Sequence, residues 1–263
     1  MKEERPEKMT NGNFKVVAHR GLSAEFPENT LIAFEAALAL SIDFLETDIH
    51  KTQDNKLVVI HDETVDRTSN GVGKVKNYTL QQLYNLDYGS WKGGEFKGQN
   101  IMELREVLKL VNKYNKKLLI EIKKPEQYPG IEKLLLQQLA ESQVEAENIV
   151  IQSFNMDSIK KIKKADLGYK LGVLISAKKY WYRLPNFKKI ATFAHFINPN
   201  YKLVSARFVS KAHRHNLIVM PYTVNDLTTY TRLIETNIDG LITDAPNTFT
   251  DLKRGSVVFG ANK

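Results

Sequence analysis

Val16-Val17-Ala18-His19-Arg20-Gly21, then Pro27-Glu28-Asn29-Thr30 and the largely apolar run Leu31 to Leu40, set a strand, a polar strand end and a helix in succession. The apolar triplet reads as a buried strand, and the run after Thr30 reads as a helix. A histidine and an arginine beside a glycine make a polar cluster where the main chain can approach a ligand closely. Strand-end His-Arg pairs also arise by chance, so the weight comes from three later strand ends of the same kind. Glu46-Thr47-Asp48 ends a second strand, His61-Asp62 ends another, and Glu121-Ile122-Lys123 ends a later one.

Outward from this stretch, strand-like and helix-like segments alternate. Strands are expected at Lys15 to Ala18, Phe44 to His50, Leu57 to His61, Leu118 to Ile122, Ile149 to Phe154, Leu171 to Ile175, His195 to Asn198, Leu217 to Thr223 and Gly240 to Thr243. Helices are expected at Glu28 to Ser41, Leu80 to Leu86, Met102 to Tyr114, Ile131 to Ser142, Met156 to Lys164, Phe187 to Phe193, Ser205 to His215 and Leu227 to Glu235. Gln53-Asp54-Asn55-Lys56 has hairpin-turn chemistry, and Thr79 is a suitable N-cap. About eight chief strands, each followed by a helix, in a chain near the usual ~250 residues, give an α/β fold of the TIM (β/α)8 class. A doubly wound open sheet is the alternative. It does not explain why polar residues sit at the C-terminal ends of so many strands. Residues 14–253 are expected to form one barrel domain, with 51–100 as an insertion after the second barrel strand. Residues 1–13 and 254–263 are expected to be mobile ends.

Composition narrows the classes. The 263 residues contain no cysteine, which excludes disulfides and thiolate chemistry. No signal peptide and no run of about 18 apolar residues is visible, so a cytoplasmic location is expected. The formal charge of +8 reads either as an ordinary lysine-rich surface or as attraction to phosphodiesters, anionic lipid or teichoic acid. Nucleic acid is not expected, because the lysines are spread along helix faces and no recognisable module is present. Oligomeric state is left open.

Side chains two apart on a strand share a face. Glu46 and Asp48 therefore point together, as do Glu121 and Lys123, while Leu45, Ile49, Ile120 and Ile122 face the helices. In a barrel the charged sets point inward at the catalytic end. Each carboxylate taken alone fits a strand-end salt bridge, with Lys123 or Arg20 as the partner of Glu121. Taken together they repel, at roughly 4 kcal/mol for two charges about 4 Å apart at an effective dielectric near 20. A divalent cation relieves that, and an all-oxygen set suits Mg²⁺ or Ca²⁺ better than zinc. His19 and His61 are the natural acid-base candidates near neutral pH. A hydrogen-bonded core residue and a loop-edge residue are their respective alternatives. His50, His195, His213 and His215 read as a strand end, a strand start and exposed helix ends.

His19-Arg20-Gly21, Pro27-Glu28-Asn29-Thr30, Glu46-Thr47-Asp48, Val58-Val59-Ile60-His61-Asp62 and Thr64 to Gly73 together resemble the glycerophosphodiester phosphodiesterases. Glu121-Ile122-Lys123, Gln152-Ser153-Phe154, Thr223-Val224-Asn225-Asp226 and Asp239 to Pro246 extend the resemblance in order and placement over about residues 15 to 250. It implies a TIM barrel that hydrolyses glycerophosphodiesters to glycerol 3-phosphate and an alcohol. It implies one divalent cation held by Glu46, Asp48 and Glu121, with His19 and His61 as the acid-base pair and Arg20 and Lys123 on the phosphate. In such a scheme a glycerol hydroxyl attacks phosphorus, one histidine takes its proton, and the other protonates the leaving alkoxide. A cyclic phosphate forms and water opens it. Residues alone leave base and acid open, with His19 favoured as base and His61 as acid.

Two departures stand out. Tyr222 occupies a position where the resemblance leads one to expect Trp, and it can still stack on glycerol. Ile101 to Leu108 lacks the Pro-Thr helix start. Phe154 is a candidate wall of the substrate site, or plain core. Lys178-Lys179-Tyr180-Trp181-Tyr182-Arg183-Leu184 follows the fifth barrel strand and suits a lipid headgroup or membrane surface, or a bulky alcohol; alternatively its aromatics pack on the barrel. Lysophospholipase D or teichoic-acid cleavage are the rival activities. A non-catalytic barrel that binds anionic polymer is a third reading, disfavoured because both histidines and all three carboxylates are present.

Overall fold

The computed structural model describes residues 14–253. Both stretches expected to be mobile ends lie outside the described residues. The strands are β1 (Lys15–His19), β2 (Phe44–Lys51), β3 (Leu57–Val59), β4 (Met102–Glu103), β5 (Lys117–Ile122), β6 (Ile149–Ser153), β7 (Lys170–Ile175), β8 (Phe196–Pro199), β9 (Ile218–Val219) and β10 (Gly240–Thr243). Parallel pairing runs β10-β1-β2-β5-β6-β7-β8-β9. The two ends of that path meet: Asp239 N donates to Val219 O (3.0 Å), Ile242 N to Pro221 O (2.9 Å) and Val224 N to Ile242 O (2.9 Å). Eight parallel strands thus close into a ring, the barrel expected from the alternation. β3 and β4 lie off it, pairing antiparallel with β2 and with each other.

A period of two along each strand sorts the side chains. Val17, Phe44, Leu119, Val150, Phe196, Met220 and Ile242 pack together as one apolar layer inside the ring. Two residues further along the same strands stand His19, Glu46, Glu121, Gln152, Asn198, Tyr222 and Asp244. The polar layer is therefore fixed by the register that buries the apolar one beneath it. The alternate positions, among them Leu45, Ile49, Leu118, Ile120 and Ile122, join the larger core between strands and helices.

Several boundaries differ from expectation, each for a local reason. The helix expected from Glu28 spans only Leu31–Leu38. Asn29 takes a left-handed φ of 59°, which a helix cannot contain. The helix expected from Met102 begins at Leu104, because Met102 and Glu103 pair with Val59 and Val58. Glu103 then caps that helix reciprocally with Glu106, replacing the absent Pro-Thr start. Thr79 caps its helix as expected, accepting from Gln82 N at 3.3 Å. Gly21, with φ of +88°, allows close approach not to a ligand but to a helix: a Cβ there would lie 2.5 Å from Ala33 O. The 51–100 insertion has its own apolar cluster, including Val58, Ile60, Val65, Leu83 and Tyr88.

His213 is not a free helix end. Its Nε2 lies 2.8 Å from Asp239 Oδ2, which also accepts from Val219 N at 2.7 Å. Asp239 thus clamps the seam where β9 meets β10. Asp239→Ala leaves the buried Val219 N–H without that acceptor and is expected to cost about 1–3 kcal/mol. Asp239→Asn keeps an acceptor and should restore most of it. Urea unfolding midpoints measure both; equal stability of wild type and alanine variant would contradict the clamp.

Candidate active site

β1, β2, β5 and β10 and the loops after β3, β6 and β9 converge on a small cavity of about 170 Å³. His19, Arg20, Glu46, His61, Glu121, Lys123, Phe154 and Tyr222 all line it. Every residue singled out in the sequence is thus at the cavity wall except Asp48, which lies fully buried just behind. Beside it opens a wider cleft of about 580 Å³, sharing His61, Glu121, Lys123 and Phe154 and bounded further by Glu63, Glu126 and Asn155. A recess of similar volume, about 570 Å³, lies outside the barrel against Arg105, Lys109 and Gln137 and contains none of these residues.

Glu46, Asp48 and Glu121 each present an oxygen within 4.8 Å of the other two. They are buried, and Asp48 Oδ1 has no hydrogen-bond partner. Burial first, then the charge of Asp48, pushes the Glu46 carboxyl well up. Glu121 is pushed up to about 7 by burial and Asp48, against the pull of Lys123. Asp48 goes the other way: burial would raise it, but Arg20 and Lys123 hold it far below the usual range. Two of three carboxyls are thus strained in their ionised form. Three oxygen donors, one of them a buried atom that accepts no hydrogen bond, fit a hard divalent cation.

The cations are committed within the site. Arg20, with a left-handed φ of 57°, sets Nη1 2.9 Å from Glu28 and Nε 3.0 Å from Asp48. The Nε contact is at ion-pair distance but out of line for a hydrogen bond. Lys123 lies 2.8 Å from Glu121 and 3.5 Å from Asp48. The salt-bridge alternative for Glu121 is therefore real, and it coexists with the carboxylate cluster. Asn29 donates to Asp48 at 3.2 Å and accepts from Thr47 at 3.1 Å, fixing the β2 end.

Each histidine is paired through Nδ1 with an aspartate. His19 Nδ1 lies 2.5 Å from Asp244 Oδ1, and His61 Nδ1 lies 2.6 Å from Asp62 Oδ1. Nε2 is then the free ring nitrogen of both. Burial would raise the Asp244 carboxyl, but His19, Asn225 and Ser23 hold it down to about 2. Burial likewise opposes Asp62, which Arg67 and His61 hold to about 2. Burial pulls the His61 imidazole down, with Asp48 opposing. His50, expected only as a strand end, is a support: its Nε2 lies 3.1 Å from the His61 carbonyl and its Nδ1 2.7 Å from Tyr128 Oη. Burial lowers it to about 4, so it is neutral at pH 7.

The roles of Asp244, Asp62, Arg67 and Glu28 were not read from the sequence. Arg67 bonds Asp62 through Nε (2.7 Å) and grips Glu28 through both terminal nitrogens (2.8 Å each). Glu28 in turn holds Arg20, so a continuous chain of ion pairs joins His61 to Asp48. The signal was present in Pro27-Glu28-Asn29-Thr30 and in Asp62 through Asn70, but only folding says which charge meets which. Phe154 is half exposed and stands edge-on to Tyr222 at 6.0 Å, with the Lys123 ammonium 6.0 Å from its ring centre. It is cavity wall, not core. Tyr222 Oη donates to Ile175 O at 3.2 Å, which satisfies the hydroxyl and leaves the ring at the cavity.

A profile of the glycerophosphoryl diester phosphodiesterase family matches residues 19–248. A glycerophosphodiester phosphodiesterase of Caldanaerobacter subterraneus subsp. tengcongensis is 38% identical over 242 residues, covering 91% of this chain and 97% of that one. One from Bacillus subtilis is 34% identical, covering 91% and 86%. An Oleispira antarctica phosphodiesterase in complex with the product sn-glycerol-3-phosphate superposes with a TM-score of 0.82 at 25% identity, covering 91% of this chain and 96% of that one.

Proposed function

Since the chain belongs to the glycerophosphoryl diester phosphodiesterase family and is therefore a hydrolase, we propose that it cleaves glycerophosphodiesters to glycerol 3-phosphate and an alcohol. The observation that carries this reading is the pair of aspartate-held histidines facing a cavity lined by Glu46 and Glu121, with Asp48 buried directly behind them. Glu46, Asp48 and Glu121 would hold one divalent cation. When bound, it would withdraw charge from the reacting oxygens and make a hydroxyl acidic near neutral pH. Arg20 and Lys123 flank this place and orient the phosphate; their own carboxylate partners keep them fixed, so little reorganisation is needed as charge develops.

The two histidines differ in surroundings. His19 lines only the small cavity, whereas His61 lines both the small cavity and the wider cleft. The glycerol end fits the former, and the alcohol leaves through the latter. His19 Nε2 then takes the proton of the glycerol hydroxyl beside the ester, with Asp244 stabilising the imidazolium that results. His61 Nε2 delivers a proton to the departing alkoxide, and its burial-lowered basicity makes the imidazolium a readier donor. The hydroxyl oxygen bonds to phosphorus as the alcohol leaves, giving a cyclic phosphate. Water opens it with the histidine roles reversed. Phe154 and Tyr222 wall the glycerol carbons.

Product analysis tests the reading. Glycerophosphocholine should give glycerol 3-phosphate and choline. Phosphocholine and glycerol would mean the other ester bond breaks, and that the orientation across the two cavities is wrong.

A further inference from the structure

The charge of the molecule is unevenly placed. Between Asp166 and Asp226 there are ten lysines and arginines and neither aspartate nor glutamate, more positive charge than the net +8 of the whole chain. This stretch builds β7 to β9 and their loops. Its middle, Lys178-Lys179-Tyr180-Trp181-Tyr182-Arg183, leaves the C-terminal end of β7, whose Leu174 lines the catalytic cavity. The loop therefore stands at the rim of the active-site mouth.

Tyr180 packs against the barrel core, but the two aromatics after it do not fold back. Trp181 is 76% exposed and Tyr182 63%. Their rings stand edge-on to each other at 5.4 Å. The Arg183 guanidinium lies 5.4 Å from the Tyr182 ring and 5.9 Å from Tyr180, and the Lys179 ammonium lies 5.9 Å from Tyr180. Among the described residues, Lys178, Lys179, Arg183 and Lys202 have no carboxylate within ion-pair distance. An exposed indole and phenol held among unpaired cations have no internal purpose that packing or salt bridges would supply.

We propose that the β7 loop is an interfacial anchor that seats the catalytic mouth on an anionic lipid bilayer. Trp and Tyr place an apolar body and a polar tip at headgroup depth, and the surrounding cations meet the negative surface potential. A soluble polyanion would need the cations alone; the two exposed aromatics are what favour a bilayer. Docking by this rim turns the cavity toward the membrane. The binding does not depend on the proposed reaction, so either can fail without the other.

The test is sedimentation of the full chain with vesicles, comparing wild type, Trp181→Ala/Tyr182→Ala and Lys178→Glu/Lys179→Glu. Wild type should bind vesicles of equal parts phosphatidylglycerol and phosphatidylcholine and leave pure phosphatidylcholine vesicles unbound. Each double variant should bind the anionic vesicles about tenfold more weakly or worse, while hydrolysing glycerophosphocholine in solution at the wild-type rate. Equal retention of wild type and the aromatic variant would overturn the proposal. So would tight binding to soluble polyphosphate without vesicle binding, which would make the surface a polyanion site.

Discussion

His61→Ala is expected to lower kcat on glycerophosphocholine by about 10²–10⁴-fold, the range for loss of a general acid or base. His19→Ala falls comparably. What separates them is the leaving group. On a glycerol phosphate ester of a nitrophenol, the departing oxyanion is stable without a proton. If His61 is the acid, its alanine variant should recover most of its rate on that substrate. His19→Ala should not, because the attacking hydroxyl still needs its proton removed. Recovery by the His19 variant instead would reverse the assignment made from the two cavities. Both side chains sit at the cavity rim, partly open to solvent, so neither truncation should threaten the fold.

Asp48→Asn is expected to abolish tight divalent-cation binding and to lower kcat by about 10³-fold, equivalent to several kcal/mol of lost charge stabilisation at about 1.4 kcal/mol per decade. Asparagine is chosen because Asp48 is fully buried against Arg20 and Lys123. Asparagine keeps the volume and an acceptor oxygen that alanine would lose; both remove the charge that compensates the cations, at about 3–5 kcal/mol, so the urea unfolding midpoint of Asp48→Asn is measured beside its kinetics. The cation should also compete with protons. With Glu121 raised to about 7, the empty site holds a proton below that pH which the cation must displace. Affinity for Mg²⁺ or Ca²⁺ should therefore weaken as pH falls below about 7, by up to about tenfold per unit for one released proton. Calorimetric titration of wild type at several pH values measures this. A pH-independent affinity between about 5 and 8 would mean the carboxyls are already ionised without the metal.

What could be read from the sequence, and what could not, divides along a physical line. Glu46 with Asp48 and Glu121 with Lys123 were legible because strand geometry forces residues two apart onto one face. The apolar layer of Val17, Phe44 and Leu119 one step below makes the same point from inside the barrel. The barrel itself followed from the alternation of strands and helices. Partners were not legible. His19 meets Asp244 across 225 residues of sequence, a contact that exists only because β10 returns to β1 and the ring closes. Arg67 reaches Glu28 from within the insertion, where no periodicity says which way a side chain points. Helix starts were misplaced where a short pairing (Met102 with Val59) or a left-handed residue (Asn29) overrode local preference. Trp181 and Tyr182 looked as able to pack inward as to project. In the fold they project, while Tyr180 and Leu184 on either side of them pack against the core.

The central claim is that a divalent cation among Glu46, Asp48 and Glu121 is required for phosphodiester hydrolysis by the histidine pair. The most direct measurement is release of glycerol 3-phosphate from glycerophosphocholine by protein stripped with a chelator, before and after Mg²⁺ or Ca²⁺ is returned. The account predicts no release from the stripped protein, recovery with one of the two cations, and no recovery for Asp48→Asn. Full activity in the stripped wild-type protein would contradict it.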